Sequence, residues 1–385
     1  MRTITFLIFF IIVLTIYGAV NYYLFIRGWQ SIPPASSIRT FYLSIFLLLS
    51  LSFIVGRVFE KITISWVSDV FVWIGSFWLA MMLYFFLAVV ILDFLRMINF
   101  FLPFFPQFIT NNYEKTKQVV GMVVVGSVFI AIAIGYFNSL NFKIVKLNLS
   151  IHKKVNSPKM LNVVVTSDIH LGTIIGNSHL EKIVEGINGL NPDIVLLPGD
   201  IVDEDLAPVI KQNLGEKLKN IQSKYGVYAV IGNHEYIGGV EKACKYLVEH
   251  NINLLRDSAV KIGNSFYIIG REDRSKNTFT GKKRKPLEEL MSDVNKEFPV
   301  FLMDHQPFDL NAAENSGVDL QLSGHTHHGQ LWPLNFITNM VYEISRGYKQ
   351  ERGSHFYVSC GVGTWGPPVR LGNRPEIVNI RIKFD

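Results

Sequence analysis

Five short motifs hold the side chains of this sequence that could act together chemically. They are Asp168-Ile-His170, Gly199-Asp200-Ile-Val-Asp203, Gly232-Asn233-His234-Glu235, His305 and Gly324-His325-Thr326-His327. Together they pool carboxylate and amide oxygens with imidazole nitrogens and offer no thiolate. That donor set suits divalent manganese, iron, zinc or cobalt rather than copper(I) or an iron–sulfur cluster. Five of the ten histidines fall in these motifs, a concentration that needs a cause. Residues two apart on an extended segment share a face, so Asp168 with His170, and His325 with His327, are expected to aim together. Taken singly, a DxH or a GD after a strand reads as a turn. All five in this order argue against an α/β domain without a site.

The elements that must position these residues can be read from the chain around them. Beyond residue 140, short apolar runs alternate with amphipathic stretches, the pattern of a layered α/β unit. Strands are expected at 161–166, 193–198, 226–231, 266–270, 299–303, 318–322, 355–360 and 376–384, the last partly alternating and therefore more exposed. Helices are expected near 178–188, 208–222, 239–250 and 286–297, with Ser178 and Glu181 as a capping box, Gly189 as a stop and Pro286 in a first turn. Each motif then stands just past a strand end, where α/β sheets gather their ligands.

The order DxH, GDxxD, GNH(E), H, GHxH resembles the calcineurin-like metallophosphoesterase superfamily over residues 160–385. The text around GHTHHGQ (324–330) and GVGTWGPPVR (361–370) is similar to that of its bacterial membrane-associated members. The resemblance implies a four-layer α/β/β/α sandwich and two divalent metal ions. It assigns Asp168, His170, Asp200 and His327 to the first ion. The second takes Asp200, Asn233, His305 and His325, so that Asp200 bridges the pair. Two ions about 3.5–4 Å apart hold phosphate oxygens and activate water for in-line attack. His234, next to Asn233 and not a ligand in the family, is the expected general acid toward the leaving oxygen, and Asp203 would orient and polarise its ring. Relatives of this branch often carry glycine where this chain has His328, whose role stays open between a substrate contact and a polar loop residue.

The first 140 residues are of a different kind. The chain of 385 residues is 49% hydrophobic with a net charge of +6, and the apolar excess lies at its start. Stretches 4–26, 40–59, 70–95 and 119–137 are each long enough to cross a bilayer, which takes about 20 residues. Tyr22, Tyr23, Trp29 and Trp66 stand near their ends, as interfacial aromatics do. Segment 97–109, broken by Pro103 and Pro106, fits either a kinked segment at the membrane surface or a hydrophobic loop. The expected organisation is a membrane domain over 1–140, a linker over 141–159 and a catalytic domain over 160–385. A fragment from about residue 150 should then be active by itself. With four spans, eight Lys or Arg (Arg2, Arg57, Lys61, Lys143, Lys146, Lys153, Lys154, Lys159) face five (Arg27, Arg39, Arg96, Lys115, Lys117). The positive-inside rule therefore favours a cytoplasmic catalytic domain of an integral protein of the bacterial cell membrane.

The expected activity is hydrolysis of a phosphate ester or pyrophosphate, with lipid-linked substrates among the candidates because the bilayer is itself a partner. A nuclease or cyclic-nucleotide phosphodiesterase of the same superfamily, and a metal-binding scaffold without activity, are the competing readings. Nucleic acid is disfavoured because no basic–aromatic surface stands out. The run Lys282-Lys283-Arg284-Lys285, with Arg271 and Arg274, could attract anions or form a solvated loop. A transporter would need charges along its spans, and those are few. Cys244 and Cys360, with no CxxC pair, exclude a disulfide framework and a cysteine zinc site. Nothing in the sequence addresses oligomeric state.

Overall fold

A computed structural model of the chain describes every residue except Met1, Lys154, Ser157 and Asp385. Lys154, one of the cations counted for orientation, thus lies outside the described residues. The chain divides into two compact units, Met1–Gly135 and Tyr136–Asp385.

In the first unit, four helices are long and apolar enough to cross a membrane: Phe10–Ser31 within Arg2–Ser31, Ile38–Ile62, Trp66–Phe101 and Tyr113–Ser139. Each outruns the stretch expected for it, because a helix continues past the hydrocarbon layer while the apolar signal stops there. Ser65 caps the third helix reciprocally with Ser68, and the chain turns at Leu102, before Pro103. Residues 97–101 therefore belong to the helix, and a separate short turn spans Gln107–Asn111. Leu24, Phe46 and Trp78 form the interior, where the Trp78 indole N–H donates to Asn21 Oδ1 at 3.0 Å.

The second unit is built on two six-stranded sheets. The first has the order β1-β12-β2-β3-β4-β5, from Lys143–Ile151, Glu376–Phe384, Met160–Val165, Ile194–Pro198, Val227–Val230 and Ile252–Leu254. The second has the order β10-β11-β9-β8-β7-β6, from Gly347–Glu351, Ser354–Val358, Leu320–Ser323, Val300–Met303, Phe266–Gly270 and Ser258–Ile262. β2 through β5 run parallel, as do β7, β8, β9 and β11. Val163, Val165, Leu196 and Ile380 of one sheet pack against Phe266, Phe301, Met303 and Leu322 of the other. The outer face of the first sheet is covered by helices Asn177–Asn188, Leu214–Leu218 and Val240–Glu249, and that of the second by Leu287–Leu290 and Leu310–Ser316. The expected four-layer α/β/β/α sandwich, preceded by apolar helices, is the fold observed.

Several local expectations give way. Residues 143–151, expected within a linker, are strand β1, paired in parallel with β12 along its whole length. β12 in turn is interior rather than exposed, with only Arg381 and Lys383 reaching solvent. The helix expected at 208–222 is two short ones, Ala207–Lys211 and Leu214–Leu218, parted by Asn213 in a left-handed conformation. The helix expected at 286–297 stops at Leu290. The capping box at Ser178 does not form, since the helix starts one residue earlier and Glu181 pairs with Lys217.

The pairing of β1 changes where the catalytic unit can be cut. A fragment starting at Tyr136 should be monodisperse. One starting at residue 152 should expose the β12 edge, melt several degrees lower and aggregate, as size-exclusion chromatography and thermal unfolding would report.

Candidate metal centre

The five motifs come together where strands of both sheets end. Asp168 follows β2, Asp200 follows β3 and Asn233 opens the helix after β4, while His305 follows β8 and His325 follows β9. His305 ties the sheets together, its Nδ1–H donating to the Pro198 carbonyl at 2.7 Å. That bond leaves Nε2 to face Asp200 Oδ2 at 3.1 Å and Asn233 Oδ1 at 3.2 Å. His325 Nδ1 reaches the same Asn233 oxygen at 2.8 Å. On the other side of Asp200, 3.9 Å from its Oδ2, stands His170 Nε2, itself 3.0 Å from His327 Nε2. His327 Nε2 lies 3.6 Å from Asp168 Oδ1. Among the described residues three groups could hold a metal ion: Asp168/His170/His327, Asp200/His305/His325, and His170/Asp203/His234, which shares His170 with the first.

The backbone makes this convergence in an unexpected way. Asp168, His170, Asp200, His325 and His327 have φ of 51°, 53°, 51°, 71° and 44°. The DxH and HxH pairs are therefore not extended; each side chain is aimed by a left-handed turn. Such conformations cost about 1–3 kcal/mol each and concentrate at functional sites. Motif glycines make room for the carboxylates. A Cβ on Gly232 would lie 2.1 Å from Asp200 Oδ1, and one on Gly324 2.2 Å from Asp168 Oδ2.

Burial would lower the His305 pKa, but the Asp200 charge and hydrogen bond raise it well above the usual imidazole range. Asp168 is fully buried, its Oδ2 has no hydrogen-bond partner among the described residues, and burial raises its pKa. Burial would raise Asp200 as well, but the surrounding imidazoles, His305 foremost, outweigh it and hold this carboxyl well below the usual range. His325 is pushed down to about 4 and His327 also downward, chiefly by burial, so both rings present neutral lone pairs. Neutral imidazoles, buried carboxylate oxygens and an orphaned Asp168 oxygen fit divalent cations.

In the third group, Asp203 Oδ1 accepts from His234 Nδ1 at 2.9 Å and lies 3.5 Å from His170 Nδ1. Burial would lower the His234 pKa, but the Asp203 hydrogen bond and the charges of Asp200, Asp203 and Glu204 raise it to about 9.

The calcineurin-like phosphoesterase family matches residues 161–329. An uncharacterized metallophosphoesterase of Campylobacter jejuni is 30% identical over 98% of this chain and 99% of its own. The chain belongs to the calcineurin-like metallophosphoesterase family. An uncharacterized metallophosphoesterase of Helicobacter pylori is 32% identical over 58% of this chain, a match that spans 60% of that protein. A Danio rerio transmembrane protein with a metallophosphoesterase domain is 31% identical over 63% of this chain and 57% of its own.

Two supporting residues of this metallophosphoesterase escaped the reading of its sequence. Glu235, buried, accepts from the N–H groups of Ile201 (2.7 Å), Val202 (2.9 Å) and Gly232 (2.8 Å), clamping the Asp200 and Asn233 loops together. The clue was its place in Gly232-Asn233-His234-Glu235. Arg370, fully buried, sets its guanidinium 3.2 Å from His327 Nδ1 and 2.8 Å from Asn373 Oδ1. The clue here was its place at the end of GVGTWGPPVR (361–370), whose Gly361 and Gly363 carbonyls it also contacts. His328 enters none of these groups; its ring bonds Ser345 Oγ at 2.8 Å. The basic run also turns out to be largely structural. Arg271 and Arg284 both pair with buried Asp304, Arg274 with Asp309 and Lys285 with Glu289, which leaves Lys282 and Lys283 exposed.

Replacing Glu235 by Gln would set an NH2 against backbone N–H donors and loosen both loops. We expect metal affinity to drop by about 10–100-fold, the usual worth of outer-shell partners, with the chain still folded; equilibrium dialysis with metal analysis measures it.

Proposed function

We propose that this chain is a membrane-anchored hydrolase of phosphate esters or pyrophosphates that works through a dinuclear metal site. The catalytic unit would stand on the cytoplasmic face of a bacterial cell membrane, the side favoured by the basic residues flanking the spans. The observation that carries the proposal is the pair of neighbouring groups Asp168/His170/His327 and Asp200/His305/His325, with Asp200 Oδ2 also 3.9 Å from His170 Nε2 and the His234–Asp203 pair alongside. Asp168, His170, Asp200 and His327 would hold one divalent ion, and Asp200, Asn233, His305 and His325 the other. Manganese, iron, zinc and cobalt all suit this donor set. When bound, the two ions neutralise the phosphate oxygens and make water a nucleophile at neutral pH.

The residues of the chain do the rest. Asp200, between the two groups, fixes their separation. Asp203 holds His234 by Nδ1, so Nε2 is the nitrogen left to meet a leaving oxygen. His234 carries its proton at neutral pH in this cluster and can deliver it as the ester bond breaks. Asp203 also reaches His170, so it orients a ligand ring as well as the acid. A lipid-linked substrate fits the tether, which concentrates the site at the bilayer. A nuclease reading loses part of its support, since Arg271 and Arg284 pair with buried Asp304.

Asp200→Asn is expected to abolish hydrolysis of an aryl phosphodiester and lower metal content, measured on the same sample; two retained ions with normal turnover would refute the shared ligand. His234→Ala should keep its metal and lose about 10²–10⁴-fold in turnover. The loss should shrink for nitrophenyl esters, whose leaving group needs little protonation. Equal losses for good and poor leaving groups would remove the general-acid role. Asp203→Asn should give a milder turnover loss than His234→Ala, together with weakened metal binding through His170.

A further inference from the structure

The catalytic unit carries an apolar surface that its hydrolytic chemistry does not use. Helix Asn335–Val341 presents Phe336, Ile337, Met340 and Val341 to solvent, flanked by Trp332 and Trp365; each is more than half exposed and Met340 is 78% exposed. None of the helix's own residues is buried, so the element has not been spent on the core. Large contiguous apolar patches on soluble surfaces mark interaction sites.

Its position is specific. The helix begins against the turn that carries His327, where a Cβ on Gly329 would lie 2.4 Å from the Asn335 nitrogen. Just past its end, the Tyr342 ring stands 6.1 Å from that of His325. On another edge of the cluster, the Trp365 ring is 6.1 Å from that of His234. Apolar side chains thus flank a charged centre on two edges, a poor arrangement for a site that meets its substrate in water.

We infer that this strip is a docking surface for the lipid bilayer, seating the mouth of the metal centre against the headgroup plane. Three observations select lipid over a protein partner. Ser139 closes the last of the four apolar helices, and its hydroxyl donates to the Pro368 carbonyl at 2.9 Å. Asn138 Nδ2 donates to the carbonyls of Arg370 (2.9 Å) and Asn373 (2.7 Å). The same loop continues into the strip, since the Leu371 carbonyl accepts from the Trp332 N–H at 2.8 Å. The strip therefore lies one loop away from the point where the chain leaves a membrane-crossing helix. Finally, tryptophans at its margins with Phe, Ile, Met and Val between them have the composition of interfacial helices. Delivery of a lipid-borne phosphate to His234 rests on the phosphoesterase reading; the docking itself does not.

The test uses the full chain in nanodiscs of phosphatidylcholine and phosphatidylglycerol, with a nitroxide on Met340→Cys and, as the aqueous control, on Lys283→Cys. Cys244 and Cys360 are buried and stay unlabelled in the folded protein. Power saturation should show the Met340→Cys label shielded several-fold from an aqueous nickel chelate and open to oxygen, as a lipid-facing label is. Equal chelate access at the two positions would place the strip in water and overturn the inference. Shielding from both chelate and oxygen would overturn it in favour of a protein partner or a second copy of the chain. Neither reading depends on whether the chain hydrolyses anything, so a failed docking and a failed phosphoesterase assignment remain distinguishable.

Discussion

Burial of Asp168 and Asp200 among five imidazoles governs the construction of the catalytic unit. An ionised carboxylate taken out of water costs several kcal/mol unless donors or cations surround it. Backbone N–H groups meet part of that need: His325 N donates to Asp168 Oδ1 at 2.8 Å and His234 N to Asp200 Oδ1 at 3.0 Å. The left-handed turn at His325 and the first turn of helix Asn233–Gly238 bring those amides into reach, and the space for the carboxylates is the missing side chain of Gly232 and Gly324. The remaining electrostatic need, with Asp168 Oδ2 left without a hydrogen-bond partner among the described residues, suits the cluster to divalent cations. Conformational strain, the motif glycines and the metal-ready ligands therefore all follow from one requirement.

That requirement also accounts for two sheets meeting at one site. A single parallel sheet gathers loops from neighbouring strand ends, but here β2, β3 and β4 supply one set of ligands while β8 and β9 supply the other. The apolar layer between the sheets holds the two sets in register, and the His305–Pro198 bond joins them at the rim. Glu235 and Arg370 then support this arrangement, one tying loops of the first sheet together and the other bracing the His327 turn from the loop before β12. Asp203, in contact with both His170 and His234, couples the geometry of the two imidazoles.

Charge is distributed to the same end. Cations that could have made a surface patch, Arg271 and Arg284, are turned inward onto Asp304, so the periphery is not strongly basic. Around the mouth the exposed side chains are instead tryptophan and aliphatic.

The sequence by itself determined the division into an apolar helical part and an α/β part, the eight interior strands and the motif residues of the cluster. The reason is physical: a strand buried on both faces must be apolar throughout, and a ligand must be one of a few residue types. The strands it concealed, β1, β5, β6 and β10, are the four sheet edges. Edge strands such as Lys143–Ile151 alternate polar and apolar residues and face water on one side, so they read as linker or loop until a partner strand is known. Only the tertiary structure decided how the motifs aim their side chains, because left-handed turns at Asp168, His170 and His327 leave no composition signal where extended backbone is equally allowed. It likewise decided the roles of Glu235 and Arg370, which come from partners many residues away. The inward turn of Arg271 and Arg284 and the outward turn of Phe336 and Met340 were settled there too, since whether a side chain faces water depends on what the rest of the chain packs against it.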